Sequence, residues 1–99
     1  MSEARFKSSV KKEIKGLFPG CDLIDVDPTW VRSFPDLLVL EGNRWAALEF
    51  KRSKNASRRP NQDFHIQRLN SKGGFAAYIY PENKDEVLNL LTEYLGGAK

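Results

Sequence analysis

The sequence has few of the residues on which several common kinds of site are built. Its 99 residues include one cysteine and one histidine. A single cysteine cannot form an internal disulfide, and together with a single histidine it cannot supply the four ligands of a structural zinc site. The sequence also has no phosphate-binding glycine loop and no Ser-His-Asp arrangement. Any chemistry must come from other residue types.

Long apolar runs are also missing. No stretch approaches the roughly 18 apolar residues that a membrane helix needs, and the N-terminal segment lacks the apolar core of a signal peptide. With one cysteine, these features favour a cytoplasmic protein that has no membrane partner. The length and the 40% hydrophobic fraction predict a single domain over residues 1–99 with one modest core.

Hydrophobic periodicity and turn signals predict seven elements in the order α-β-β-β-α-β-α. Gly42-Asn43 predicts a tight hairpin turn, because glycine accepts the positive φ that such turns require. Ser2 and Asn83 are predicted N-caps. The predicted elements span residues 3–18, 21–26, 36–40, 45–51, 61–72, 75–80 and 84–95. The predicted fold class is α/β (α+β), a small mixed central sheet flanked by helices that can cover both of its faces.

The predicted hairpin carries charge in strands that are otherwise apolar. If Gly42 and Asn43 form the turn, Asp36 and Glu49 are direct cross-strand neighbours, with Cβ atoms about 5 Å apart. Lys51 lies on the same face, roughly 7 Å further along the strand. Two adjacent carboxylates repel, so a positive charge must offset them. Lys51 could do this alone as a structural ion pair. A hard cation such as Mg²⁺ or Mn²⁺ could also do it, since such ions prefer oxygen ligands.

These residues form a pattern that is known from a nuclease superfamily. Pro35-Asp36, followed after twelve residues by Glu49-Phe50-Lys51, resembles the PD-(D/E)xK motif of metal-dependent nucleases. The predicted element order also resembles the restriction-endonuclease-like core of that superfamily, and the resemblance covers most of the chain.

Within the superfamily, the chain is most similar to the virus-type replication-repair nuclease (VRR-NUC) group. In that group a glutamine begins the helix after the motif and a glycine precedes the next strand, and Gln62 and Gly74 match them. The resemblance implies a homodimeric, Mg²⁺-dependent (or Mn²⁺-dependent) DNA endonuclease that acts on branched DNA such as four-way Holliday junctions, in DNA repair. Small stand-alone members of the group are typical of phages and bacteria. The implied location is therefore the cytoplasm of a bacterial cell or of a phage-infected host.

The resemblance also implies a role for each residue of the motif. Asp36 and Glu49 would bind the metal with help from the Phe50 carbonyl, and Lys51 would position or activate the attacking water. Gln62 would orient Lys51, the water or a phosphate. An ordinary polar residue at a helix start is the alternative for Gln62.

The family further places a glutamate of the first helix beside the metal, and this chain offers Glu3 and Glu13. Glu3 lies about 25° from the centre of the apolar stripe of the helix and Glu13 about 55° from it. Glu3 is therefore the predicted catalytic and metal-binding glutamate, with an ordinary surface glutamate as the alternative.

Two clusters of basic residues accompany the motif. The loop after it is predicted to contact DNA phosphates, with a solvated loop as the alternative; its residues are Arg52, Lys54, Arg58 and Arg59. The second cluster is interpreted as the solvated face of the first helix and contains Arg5, Lys7, Lys11, Lys12 and Lys15. Trp30, in the loop before the second strand, is expected to pack in the core; stacking on a base or packing at a dimer interface are the alternatives.

Other functions remain open at this stage. The chain could be a non-catalytic nucleic-acid-binding module that keeps the nuclease fold, although adjacent unpaired carboxylates give such a module no advantage. It could also be a structural or accessory dimer. As a nuclease, it could act on flaps, nicks or linear duplex instead of junctions.

Overall fold

The structure is a computed structural model that describes residues 2–27, 29 and 32–99. Its elements are α1 (Glu3–Leu17), β1 (Asp22–Asp25), β2 (Leu37–Glu41), β3 (Arg44–Phe50), α2 (Pro60–Ser71), β4 (Phe75–Ile79) and α3 (Lys84–Leu95). The order is the predicted one, and every boundary lies within one residue of its prediction. No helix within the described ranges is long and apolar enough to cross a membrane. Trp30 lies outside the described residues, so the expectation for it stays a prediction.

Four strands form one sheet in the order β1-β2-β3-β4. β1, β2 and β3 pair antiparallel, whereas β4 pairs parallel with β3. A parallel pair cannot be joined by a tight turn, and α2 provides the crossover between β3 and β4. The predicted small mixed sheet with flanking helices is confirmed.

The hairpin between β2 and β3 has the predicted register. Gly42 begins its turn with a φ of 56°, in the left-handed region that glycine tolerates best. Leu38 pairs with Ala47 as predicted, and the paired ladder ends at Leu37, the residue that follows Asp36. Because side chains alternate along a strand, this register places the side chains of Asp36 and Glu49 on one face of the sheet.

Most of the core lies on one face of the sheet, which we call the apolar face. α1 and α3 cover it, and Phe6, Val10 and Ile14 of α1 are almost fully buried there. Alternate residues of β2 and β3, such as Val39 and Leu48, point to this face and are fully buried. The helices are stable mainly because these apolar stripes are removed from water.

The opposite face is covered by α2, and we call it the α2 face. Its buried apolar cluster is small and consists of Ala47, Leu69 and Ala76, with Trp45 packed against it. Trp45 also explains the glycine before β4, because a Cβ atom at Gly74 would overlap the indole ring. The remainder of this face is available for polar residues.

Ser2 and Asn83 both occupy the N-cap positions predicted for them, but only the Ser2 side chain makes a capping hydrogen bond. The Ser2 side chain accepts a hydrogen bond from the backbone N–H of Arg5 at 3.2 Å. The Asn83 side chain does not cap α3; it accepts a bond from the Tyr80 N–H at 2.8 Å and donates one to the Tyr78 carbonyl at 3.1 Å. Asn83 therefore ties the end of β4 to the start of α3.

Candidate active site

A charged cluster lies on the α2 face, at the end of the β2–β3 hairpin that is remote from its turn. Asp36 immediately precedes β2, and its Oδ2 accepts a hydrogen bond from the backbone N–H of Phe50 at 3.0 Å. Glu49 occupies the second-last position of β3 and is only 6% exposed. The hairpin register and this hydrogen bond bring the two carboxylates of the predicted motif together.

The two oxygens of Glu49 have different surroundings. Oε2 accepts a hydrogen bond from Gln62 Nε2 at 2.9 Å, whereas Oε1 is buried without a partner among the described residues. Burial and the nearby charge of Asp36 raise the pKa of Glu49 to about 7, although Lys51 acts in the opposite direction. A buried carboxylate oxygen without a donor is unfavourable when ionised. One oxygen of Glu49 therefore has no donor among the described residues that would compensate for its burial.

Lys51 lies close to Glu49 but does not neutralise it fully. Its Nζ donates to Gln62 Oε1 at 2.8 Å and to the Ser57 carbonyl at 3.0 Å. The distance from Nζ to Glu49 Oε2 is 3.8 Å, and the Lys51 side chain is 12% exposed. The ammonium is thus held mainly by neutral oxygens. A purely structural ion pair would leave Glu49 Oε1 unsatisfied.

Gln62 connects the two charged residues of the ExK segment. Its Nε2 donates to Glu49, while its Oε1 accepts from Lys51 and, at 3.1 Å, from the backbone N–H of Arg59. These contacts determine which end of the amide faces which partner. Gln62 is 5% exposed, so a buried amide holds Glu49 and Lys51 in a fixed relation to each other.

The two glutamates of α1 are placed differently. Glu3 is exposed, and its charge contributes to the raised pKa of Glu49, so it lies within electrostatic reach of the site. Glu13 forms an ion pair with Lys84 at 3.2 Å. Within residues 2–27, 29 and 32–99, no three His, Cys, Asp or Glu side chains come close enough to form a metal-ligand group. The structure therefore brings Glu3 near the carboxylate pair without joining it to them.

The basic loop joins β3 to α2 and covers the site from one side. Arg52, Lys54 and Arg59 are exposed on it, and the charge of Arg59 lowers the pKa of Glu49. Arg58 differs from them because its guanidinium stacks on the Tyr78 ring, with 4.1 Å from Cζ to the ring centroid. Stacking of this kind holds an arginine in place. The loop thus has three free cations and one anchored cation among its described residues.

Tyr78 and Asp63 are members of the site that the sequence did not reveal. Tyr78 lies beside Glu49 in the parallel β3–β4 register, and its O–H donates to Asp63 Oδ1. Burial and this hydrogen bond raise the pKa of Tyr78. Asp63 also lies 3.8 Å from Arg58 Nη1. Tyr78 is placed beside Glu49 by the β3–β4 register. The sequence does not define this register, because a loop and a helix separate the two strands.

The donors at this site fit a hard divalent cation. Asp36 and Glu49 supply carboxylates, Phe50 supplies a main-chain carbonyl, and the unpartnered Oε1 of Glu49 provides an oxygen that no protein donor satisfies among the described residues. Two carboxylates are too few for a cage made of protein alone. They suit Mg²⁺, which usually keeps several waters and binds through one or two carboxylates.

Two solved protein structures share the fold of this chain. No family model and no curated protein sequence matches the chain. A solved VRR_NUC domain protein has 18% sequence identity and a TM-score of 0.72, over 100% of this chain and 92% of the other. A solved VRR_NUC domain has 22% identity and a TM-score of 0.71, over 93% of this chain and 96% of the other. The chain has the fold of VRR_NUC domains, as its motif and element order predicted.

Proposed function

We propose that the chain is a Mg²⁺- or Mn²⁺-dependent endonuclease that hydrolyses phosphodiester bonds in DNA. The observation that carries this proposal is the buried carboxylate of Glu49 beside Asp36, one oxygen of which has no partner among the residues that the structure describes. A folded protein that needed only stability would gain from replacing this pair by apolar residues. The pair is better explained as a site for a cation that binds after folding.

The metal would be held by Asp36, Glu49 and the Phe50 carbonyl, with Glu3 approaching from the start of α1. A bound divalent ion would polarise a phosphoryl oxygen and lower the pKa of a coordinated water. The hydrogen bond from the Phe50 N–H holds the Asp36 carboxylate in place and leaves lone pairs on it for the ion. The burial of Glu49 favours binding of a cation, because the cation offsets the energetic cost of keeping the carboxylate ionised away from water.

Lys51 would act on the attacking water and on the charge that develops at phosphorus. Its ammonium already makes two hydrogen bonds, to Gln62 and to the Ser57 carbonyl, which leaves one N–H for the water or a phosphate oxygen. Preorganised donors of this kind stabilise a transition state at no further cost in reorganisation. Gln62 would act by positioning Lys51, the first of the three roles that the sequence left open.

The exposed cations of the basic loop, Arg52, Lys54 and Arg59, would contact phosphates that flank the cut. Such contacts are independent of sequence and depend strongly on salt. Arg58 would contribute mainly by anchoring the loop to Tyr78, because its charge is already shared with Asp63.

The substrate class proposed is branched DNA, in particular the four-way junction, with a homodimer as the active form. One copy of the chain has one such site, so paired cuts in a symmetric junction require two copies. The fold shared with VRR_NUC domains supports a nuclease, and the choice of junction over flap, nick or linear duplex is part of the proposal.

A second candidate function is a nucleic-acid-binding module that has the fold without turnover. It is favoured by one observation: the described part of the chain holds two adjacent carboxylates but no group of three or more metal-ligand side chains. Under this alternative, DNA would bind through the basic loop, and divalent ions would have no effect beyond their ionic strength.

Cleavage of labelled DNA by the purified protein tests the proposal. A four-way junction, a flap, a nicked duplex and a linear duplex are each incubated with Mg²⁺, Mn²⁺ or EDTA. Asp36→Ala removes a proposed ligand, and Asp22→Ala is the matched control, because Asp22 is an exposed aspartate on β1. The mass of the protein–junction complex in solution gives the number of copies bound.

The proposal predicts cutting with Mg²⁺ or Mn²⁺, none with EDTA, and loss of cutting in Asp36→Ala but not in Asp22→Ala. Paired nicks at the junction by a complex with two copies would support the dimeric resolvase. Tight binding without cutting of any substrate, unchanged by Asp36→Ala, would contradict the proposal and favour the binding module.

A further inference from the structure

A second basic surface lies outside the site described above, in a groove of about 530 Å³ between α1 and β1. The groove is lined on the α1 side by four lysines, Lys7, Lys11, Lys12 and Lys15, which we call the α1 lysine stripe. Three of them recur every fourth residue, which is a repeat of about 6 Å along the helix axis. The opposite wall includes Asp25 and Leu23 of β1.

The stripe keeps most of its positive charge. Asp25 is the only carboxylate among the described lining residues, and it is shared by Lys7 at 3.1 Å and Lys11 at 2.9 Å. Lys15 donates to the backbone carbonyls of Pro19, at 3.2 Å, and Cys21, which are neutral. Four lysines face one carboxylate, so the groove has a surplus of positive charge. Such a surplus favours a polyanionic partner.

The stripe begins one turn of α1 after Glu3, whose charge acts on Glu49. Lys7 Nζ lies 5.7 Å from the ring centroid of Phe50, whose side chain lies on the apolar face, opposite the carboxylate pair. From Lys7 to Lys15 the helix rises about 12 Å, away from the site. The basic loop is a different surface, because it leads into α2 on the other side of the sheet. Basic residues therefore lie on both sides of the sheet, with the stripe beside α1 and the basic loop beside α2.

We propose that the α1 lysine stripe binds the sugar–phosphate backbone of a DNA segment that leaves the cutting site, while the basic loop binds the segment on the other side. This rests on the proposed function, which supplies DNA as the partner. Each DNA strand carries one phosphate per about 3.4 Å of helix axis, so a stripe of about 12 Å spans three or four phosphates. Because the two basic surfaces lie on opposite sides of the sheet, they fit a substrate with two arms more closely than a single straight segment.

The test measures DNA binding in EDTA with the Asp36→Asn protein, so that no cleavage is needed. Lys11→Gln with Lys12→Gln removes two charges of the stripe, and Lys72→Gln with Lys99→Gln is the matched control, because both of those lysines are exposed elsewhere on the surface. Glutamine is a good helix former, so α1 is retained in the variant. Affinity for a four-way junction is measured at several salt concentrations.

The stripe variant should bind several-fold more weakly than the control, and its plot of log affinity against log salt should be shallower by about one to two. Asp25→Asn supplies an opposite prediction. Removing the only described carboxylate of the groove should strengthen DNA binding, whereas a merely structural ion pair predicts no gain. Equal affinity and equal salt slope in the stripe and control variants would overturn the proposal.

Two further outcomes separate this proposal from the proposed function. Stripe-dependent DNA binding by a wild-type protein that never cuts DNA would support the stripe and refute the nuclease. Cutting that is unaffected by the stripe variant, together with stripe-dependent binding of poly-glutamate, would refute the DNA contact and point to an acidic protein partner.

Discussion

The apolar face and the α2 face of the sheet differ in what their buried positions contain. On the apolar face, buried residues such as Ile14, Leu48 and Leu91 are aliphatic and belong to one large cluster. On the α2 face, the apolar cluster is small and the buried positions include Glu49 and Gln62. Apolar burial supplies stability in proportion to area, whereas burial of a carboxylate opposes it. The comparison indicates that the apolar face stabilises the fold and that the α2 face carries the residues of the candidate active site.

Removing charge from the α2 face should have the largest effect on activity. Asp36→Asn keeps an oxygen for the Phe50 N–H but weakens the proposed metal ligand. We expect cleavage to fall by roughly 1000-fold or more, since removing one preorganised electrostatic group costs 100- to 1000-fold and a ligand should cost more than that. Single-turnover rates with Mg²⁺ measure it. Unfolding in urea should show equal or higher stability, because the charge repulsion with Glu49 is removed, and a loss of stability together with activity would contradict the division between faces.

The reciprocal change is made on the apolar face. Leu91→Ala deletes a fully buried side chain of α3 and should lower the free energy of unfolding by about 2 to 5 kcal/mol. Cleavage per folded molecule should stay near the wild-type value at a temperature where the variant is folded. Denaturant unfolding and active-site titration together measure both quantities. Activity that fell while the variant remained folded would show that the apolar face also shapes the site.

The pH dependence of stability tests whether burial opposes the ionisation of Glu49. Its pKa in the folded protein is about 7, above its ordinary value of 4.5, so between these values the folded state binds more protons than the unfolded state. Stability in EDTA should therefore fall as the pH rises from about 4.5 to 7, by up to about 3 kcal/mol.

Glu49→Gln is the control for this titration, because it cannot ionise. Urea unfolding at pH 5 and pH 8 should show a smaller pH dependence for Glu49→Gln than for wild type. Mg²⁺ should stabilise wild type more at pH 8 than at pH 5. Identical pH dependence of the two proteins would contradict the raised pKa.

Gln62→Met tests the link between the two charged residues. The change keeps the length of the side chain but removes the hydrogen bonds to Glu49 and Lys51. Outer hydrogen-bond partners of metal ligands typically matter 10- to 100-fold, and we expect a loss of cleavage in that range. A smaller loss of DNA affinity than of the cleavage rate would identify positioning rather than binding as the role. Equal losses would contradict it.

The smallest expected effect belongs to Tyr78→Phe. This variant loses the hydrogen bond to Asp63, worth about 1 kcal/mol, but keeps the ring on which Arg58 stacks. Cleavage should change only a few-fold. Tyr78→Leu removes the ring as well, so it should release Arg58 and lower cleavage further. If the two variants behaved alike, the stacking would have no part in holding the basic loop.

The sequence predicted the elements and the hairpin register because their signals are local. The Gly42-Asn43 turn determines the register, and the register places Asp36 beside Glu49. The family resemblance identified Gln62 and Gly74 as important positions but did not explain why these residue types are needed there. The reasons became visible only in three dimensions, where Gln62 bridges Glu49 and Lys51, and Gly74 leaves room for an indole.

Other features of the site depend on pairing between distant segments. The parallel register of β3 and β4 puts Tyr78 next to Glu49, but it is set across a loop and a helix and has no local signal. Capture of Arg58 by Tyr78 and Asp63 follows from that register. Electrostatic reach from Glu3 to Glu49 depends on how α1 packs on the sheet. For these reasons the sequence assigned Arg58 to the phosphate contacts, and the anchoring contact appeared only in the structure.

The packing of Trp45 against Gly74 also provides an optical probe. The sequence has two tryptophans, so Trp30→Phe leaves Trp45 as the only indole fluorophore. Its emission then depends on the packing at the start of β4, beside the small cluster under α2. Emission should shift when α2 separates from the sheet, even while α1 and α3 remain packed on the other side. Fluorescence of Trp45, compared with helical circular dichroism during urea unfolding, would therefore show whether the α2 face opens before the rest of the protein unfolds.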